Sequence, residues 1–260
     1  MLICIDAGHY LGTPGKRCLK SIDPAETREW VLNSRVAEKV QARLAAYRCE
    51  TMRADDPTGQ REVTLAQRTR AANQAGADLY LSIHHNAGIK GGSGGGIVVY
   101  TAPGTEERSR EVQRAVYEAA VEATGLRGNR ARPTPQASLY VLTHTAMPAV
   151  LGEFGFMDST TDTPIILTEE YADRATAGIV SALVRVYGLE EIELTETQVR
   201  AIFREELARA EAERAKRLPS EWASAQLAGA VRLGITDGSR PQSWATREEV
   251  ALMVRAAIKG

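Results

Sequence analysis

Near its start the chain reads Leu2-Ile3-Cys4-Ile5-Asp6-Ala7-Gly8-His9. Leu2 to Asp6 is a short, largely apolar run, a Gly-His pair follows it, and a longer stretch of helical texture comes next. The same alternation recurs up to about Leu189. Strands are predicted at Leu2 to Asp6, near Arg48 to Arg53, and at Leu79 to Ile83, Gly96 to Tyr100 and Ala149 to Phe154. Helices are predicted at Pro24 to Tyr47, Thr64 to Ala75, Glu106 to Thr124 and Glu170 to Tyr187. Short strands alternating with helices, with Gly and Pro at the joints, define an α/β domain. Gly125 to Ser138, rich in Pro, Gly and Arg, reads as a long loop of the kind that often carries function.

Composition narrows the function classes. The 260 residues suffice for one large domain, or a large and a small one, with a real core. Residues of the AVILMFWYC set make up 43%, which excludes disorder as a description of the whole chain. Charge is balanced, 32 basic against 33 acidic, and no long basic run is present to track a phosphate backbone, so nucleic acid is not an expected partner. No apolar stretch approaches the ~18 residues of a membrane span. The first lysine, Lys16, follows the opening apolar run rather than preceding it, so neither a membrane helix nor a secretory signal is read. Cys4, Cys18 and Cys49 are odd in number and form no C-x-x-C pair, which argues against a disulfide framework. Cys4 reads as a small buried hydrophobe.

From Glu190 the texture changes. Glu196/Arg200, Glu205/Arg209 and Glu213/Arg217 stand four residues apart on a stretch poor in Gly and Pro, as in a charged connector helix. Val199, Ile202, Phe203 and Leu207 give that helix one apolar stripe. Beyond Pro219 a compact pair of short helices is predicted. The first carries Trp222, Leu227, Val231 and Leu233 and stops at Gly234; Thr246 caps the second, with Glu249 three residues on. The expected division is 1–190, 191–218 and 219–260.

Three of the four histidines lie at the ends of predicted strands: His9 after the first, His84 and His85 after Leu79 to Ile83. In an open α/β sheet, catalytic groups gather at the carboxyl ends of strands. Glu153 is an acid inside the apolar run Ala149 to Phe154, where a carboxylate needs a cation or a hydrogen-bonding task. The first helix offers two acids. Asp23 as N-cap, Pro24 at the first position and Glu26 at the third form a capping arrangement that gives Glu26 a structural job. Glu29 shares a stripe with Asn33, Val36, Val40 and Tyr47, the side expected to face inward. Two histidines and one carboxylate are a common ligand set for catalytic zinc, which activates water at neutral pH while a second carboxylate moves the proton. Glu153 suits that second role. Taken singly, each residue also has an ordinary reading: His9 as a loop or cap residue, His84 and His85 as hydrogen-bonding strand ends, Glu29 as a solvated helix acid.

Through Ile3-Cys4-Ile5-Asp6-Ala7-Gly8-His9, Glu29 to Ala37, Ser82 to Ala87 and Pro148 to Phe156, the sequence resembles the zinc-dependent N-acetylmuramoyl-L-alanine amidases of the amidase 3 class. The resemblance implies a mixed, mostly parallel sheet flanked by helices on both faces. It implies one zinc per chain on His9, Glu29 and His84, with Glu153 as the catalytic acid and base. Glu26 stays a competitor for the metal. By strand alternation His85 belongs behind the ligands or at the surface, and His144 is read as a loop residue beside the substrate path, with no metal role. Tyr10-Leu11 stands where the family often has Gly-Gly.

The last 40 residues resemble a surface-layer homology repeat through Trp222, Ala230 to Gly238, Arg240-Pro241 and Ala245 to Glu249. Such modules hold proteins to wall polymers, usually in tandem; a single copy here leaves wall binding and self-association both open. The whole resembles a phage or prophage endolysin, expected to be made in the host cytoplasm without a signal peptide and to act on the bacterial wall after release. The expected reaction is cleavage of the amide between N-acetylmuramic acid and L-alanine in peptidoglycan. The alternative is a wall-binding protein that keeps the fold without catalysis. Phosphate binding at Gly91 to Gly96 is disfavoured, because that glycine run precedes a strand rather than opening a helix.

Overall fold

The computed structural model describes the chain except residues 130–133, 194, 240, 243, 244, 246 and 260. Two compact units make it up, Met1–Ile192 and Glu193–Gly260.

The first unit is built on five strands: β1 (Leu2–Ala7), β2 (Glu50–Arg53), β3 (Leu79–Asn86), β4 (Ile97–Tyr100) and β5 (Ala149–Phe156). They lie in the order β2-β1-β3-β5-β4. All neighbours run parallel except the edge strand β4, which pairs antiparallel with β5. This is the mixed, mostly parallel sheet the sequence implied. The helices α1 (Glu29–Leu44), α3 (Glu107–Thr124) and α6 (Glu169–Tyr187) cover one face, while α2 (Leu65–Ala75) and the single turn α4 (Tyr140–Thr143) cover the other. A second single turn, α5 (Thr163–Ile166), precedes α6. Neither short turn is long enough to show a period in sequence.

Strand alternation builds both cores. Ile3, Ile5, Leu79, Leu81, Ile83, Val150 and Phe154 face α1, α3 and α6. Cys4, Tyr80 and Leu151 face α2 and α4, so Cys4 is the buried hydrophobe expected. A strand buried on both faces reads as a continuous apolar run. Connections leave β1 toward β2 on one side, and leave β3 toward β5 and β4 on the other. The carboxyl ends of β1 and β3 therefore flank the point where the winding reverses, the usual position of an α/β site.

The expected start of the first helix is corrected. α1 begins at Glu29, not Pro24, and its N-cap position is Arg28, which makes no side-chain cap. Asp23 instead accepts the backbone N–H groups of Ala25 (3.1 Å) and Thr27 (2.7 Å), closing a local turn. Glu26 has φ +50°, which stops helix propagation there, and it meets Arg17 and Lys20 rather than a helix end. The Gly125 to Ser138 loop is described except for 130–133; Gly128 bridges to Ile97 of β4 and Gln136 to Thr101 just past it.

In the second unit, α7 (Glu196–Ala215) has no buried residue and opens with a Thr195/Gln198 capping box. Of the three expected pairs, Glu196–Arg200 forms; Arg209 meets Glu206 and Lys216 meets Glu213, each three residues away. At exposed sites such pairings are nearly equal in energy. α8 (Glu221–Arg232) and α9 (Arg247–Lys259) follow; the expected cap Thr246 and Arg240 of the quoted motif lie outside the described residues. No helix among the described residues is long and apolar enough to cross a membrane.

Gly178 of α6 sets the distance to α3, since a Cβ there would stand 2.6 Å from the Ala119 carbonyl oxygen, and backbone cannot yield cheaply. Gly178→Ala is expected to lower the unfolding free energy by about 1–3 kcal/mol in urea titration, through overpacking.

Candidate metal centre

Glu29 is the first residue of α1 and is fully buried. Its backbone N–H donates to the Lys16 carbonyl (3.0 Å), which ties the 10–28 loop across the helix start. The helix N-terminus favours negative charge, but a buried carboxylate needs more than that. His84 Nδ1 lies 3.0 Å from Glu29 Oε1, and His9 Nε2 lies 3.3 Å from Oε2. Lys16 Nζ stands 3.5 Å from Oε2 and is partly exposed. Oε2 is nevertheless buried without a hydrogen-bond partner. One ligand atom from each of His9, Glu29 and His84 falls within 4.8 Å of the others, the one such group among the described residues. Glu26 is not part of it.

Two positions deliver the imidazoles. His9 follows β1 with φ +69°, a left-handed conformation uncommon for a residue with a side chain. His84 lies near the end of β3, where Gly8 packs directly against its ring; a Cβ on Gly8 would overlap the imidazole. That glycine is therefore a requirement of close approach, invisible in a Gly-His dipeptide.

His85, next along β3, points to the opposite side, as alternation requires. It is buried rather than at the surface, with Nδ1 2.8 Å from Asn33 Oδ1 and the Tyr171 hydroxyl 3.5 Å from Nε2. Asn33 in turn donates to the Gly8 carbonyl at 3.0 Å and to Glu29 Oε1 at 3.4 Å. The stripe Glu29, Asn33, Val36 and Val40 does face inward, whereas Tyr47 falls beyond the end of α1 and is only partly buried. His144 is exposed, stacks on Tyr140 with ring centroids 3.7 Å apart, and lines a groove of about 410 Å³ with Arg70 and Asn73.

Glu153 of β5 is in parallel register with His84 of β3. Adjacent strands are about 4.8 Å apart, so the carboxyl stands one strand from the cluster. Glu153 Oε2 is buried with no hydrogen-bond partner. Burial, reinforced by the Glu29 charge and opposed by His84 and Lys16, pushes its carboxyl up to about 7. Glu29 behaves oppositely: burial works to raise it, but His84, hydrogen-bonded to Oε1, and His9 beside Oε2 outweigh that and hold it well below the usual carboxylate range. Burial drives His9 down, with His84 and Lys16 adding to the shift against the pull of Glu29. His84 meets the same burial, yet Glu29 and Glu153 raise it overall. His85 is pushed down to about 3 by burial, so it sits neutral behind the cluster. Two carboxyls with opposed environments and two imidazoles thus meet at one strand-end cleft.

Comparison with known proteins places this arrangement. An N-acetylmuramoyl-L-alanine amidase family model, amidase 3, matches residues 3–185. The chain is 35% identical over 134 residues to N-acetylmuramoyl-L-alanine amidase CwlM of Bacillus licheniformis, covering 52% of this chain and 50% of that protein. It is 27% identical over 191 residues to an endolysin of Bacillus phage SPP1, covering 73% of this chain and 67% of that one. The crystal structure of an N-acetylmuramoyl-L-alanine amidase from Clostridium difficile 630 superposes with a TM-score of 0.65 at 26% identity, covering 72% of this chain and 96% of that one. The chain spans about half the length of the first two curated relatives it matches. With the family model covering the sheet, the helices around it and all four residues of the cleft, the chain belongs to the amidase 3 family of N-acetylmuramoyl-L-alanine amidases.

Proposed function

We propose that this protein hydrolyses the amide between the lactyl group of N-acetylmuramic acid and L-alanine in bacterial peptidoglycan, using one zinc ion held by His9, Glu29 and His84. The donor set fits the metal: two imidazole nitrogens and a carboxylate converge, and Glu29 Oε2, which faces His9, is buried without a hydrogen bond. When bound there, zinc supplies Lewis acidity that acidifies water and polarises a carbonyl. The observation that carries the reading is Glu153, a half-buried residue in register with His84 whose Oε2 is buried without a hydrogen bond. Glu153 takes a proton from the attacking water as its oxygen bonds to the amide carbon. It returns that proton to the nitrogen as the carbon–nitrogen bond breaks, and the remaining acid proton of the new lactyl carboxyl passes to the amine, so the products are a lactyl carboxylate and a free alanine ammonium group. A carboxyl near neutrality suits both halves of that transfer. Asn33 and neutral His85 hold the back of Glu29 and orient it.

The likeness to a phage endolysin supports a lysis role, in which the protein is made in the host cytoplasm and reaches the wall on release. We read 1–190 as the catalytic domain, 191–218 as a connector and 219–260 as a surface-layer-homology-like module that holds a wall polymer or a second copy. The exposed Ile202, Phe203 and Leu207 on α7 support contact with another surface.

Digestion of isolated walls is expected to free alanine amino groups with no new reducing sugar ends; reducing ends without amines would overturn the reaction. Glu153→Gln is expected to lower kcat by roughly 10²–10⁴-fold with zinc content unchanged, read by metal analysis beside the rate. In the metal-free protein, Glu153 favours the folded state as the neutral acid. That contribution is complete below its ordinary value of 4.5 and is lost as pH rises through about 7. Urea titrations across this window should show a fall that Glu153→Gln removes. Gly8→Ala, which drives a methyl into the His84 ring, is expected to weaken zinc binding roughly 10–100-fold in a chelator competition, with circular dichroism unchanged.

A further inference from the structure

His9 holds a left-handed backbone at the end of β1, and glycine, the residue that adopts it freely, would remove the imidazole. Something must hold that backbone in place. Three successive carbonyls there, of Ala7, Gly8 and His9, each accept a side-chain hydrogen bond. Asn33 supplies the middle one. The outer two come from one residue, Arg68 of α2, whose Nη1 donates to the Ala7 carbonyl at 2.7 Å and whose Nη2 donates to the His9 carbonyl at 2.6 Å. Nη1 also donates to Asp6 Oδ1 at 2.6 Å, and Nε to the Val63 carbonyl at 2.8 Å. Asp6 in turn accepts the Ser82 hydroxyl of β3 at 2.7 Å, which links the clamp to the strand that carries His84. Arg68 and Asp6 are both almost fully buried.

We infer that Arg68 is the positioning residue for His9: its planar fork fixes the 7–9 backbone so that the imidazole meets Glu29 and His84. This rests on the metal reading above. Arg68 makes no hydrogen bond or ion pair with the three ligand side chains; it reaches His9 through main-chain carbonyls and is itself held by Asp6. A lysine could keep the charge beside Asp6, but a tetrahedral ammonium on a flexible stem cannot present parallel donors to two carbonyls while also reaching Val63.

The test measures zinc Kd on the full chain by competition with a chromophoric chelator. Three variants are compared with the parent: Arg68→Lys; the pair Asp6→Asn/Arg68→Gln, which strands no buried ion; and Val116→Ala. The last lies in the core under α3, which gives no residue to the site, and reports general loss of stability. Arg68→Lys and the paired variant are expected to weaken zinc binding by roughly tenfold or more while remaining folded, and Val116→Ala to leave it unchanged. Should Arg68→Lys fail to fold, the paired variant carries the same reading. Parent-like zinc binding in the folded Arg68 variants, or equal weakening in Val116→Ala, overturns the positioning role alone. A parent protein that binds no zinc overturns the metal reading and this role with it.

Discussion

A carboxylate with no access to water, at the first residue of a helix, is the constraint around which the first unit is arranged. Moving such a charge out of water costs several kcal/mol unless cations and donors surround it. Glu29 is so surrounded: His84 and His9 on one side, Lys16 at the mouth, and Asn33 with the His85 backbone N–H behind. These neighbours come from four segments, so satisfying one charge brings together the β1 turn, the 10–28 loop, α1 and β3. The surplus of basic nitrogen about an oxygen that accepts no hydrogen bond is what a divalent ion would resolve.

The scaffold makes this convergence possible without long-range contortion. A parallel sheet sends its strand ends the same way, and the reversal of winding between β1 and β3 opens a cleft there. Strand alternation then separates duties: His84 joins the cluster, while His85 turns to the face covered by α1, α3 and α6 and stays neutral among Asn33 and Tyr171. Glu153 arrives from the next strand by register. Helices α1, α3 and α6 hold the sheet rigid from one face, and the Tyr171 hydroxyl, bonded to the Phe154 carbonyl, ties α6 to the strand bearing Glu153.

Periodicity in the sequence sufficed for the strands and long helices, because buried parallel strands are short apolar runs and each long helix has an amphipathic face. His9, Glu29, His84 and Glu153 were legible because they interrupt that pattern: histidines at or just past strand ends, an acid within an apolar strand, an acid on an inward helix stripe. The start of α1 was not legible. Asp23-Pro24 mimics a cap, and only the turn closed by Asp23 and the positive φ of Glu26 decide against it. Arg68 and Gly8 were equally hidden, since their roles are to reach backbone carbonyls and to admit a ring, and neither task leaves a periodic or compositional trace. Of the exposed ion pairs of α7, Glu196–Arg200 forms as expected and the other two do not, since alternatives three and four residues apart are nearly equal in energy at exposed sites.

The central claim is that Glu29 is buried because it shares one metal ion with His9 and His84. Anomalous scattering from crystals grown with zinc, recorded on both sides of the zinc absorption edge, tests it without reference to catalysis. The account predicts one strong peak within about 2.0–2.2 Å of a nitrogen of His9, a nitrogen of His84 and an oxygen of Glu29. No peak among these three side chains, or a peak held by Glu26 in place of Glu29, would contradict it.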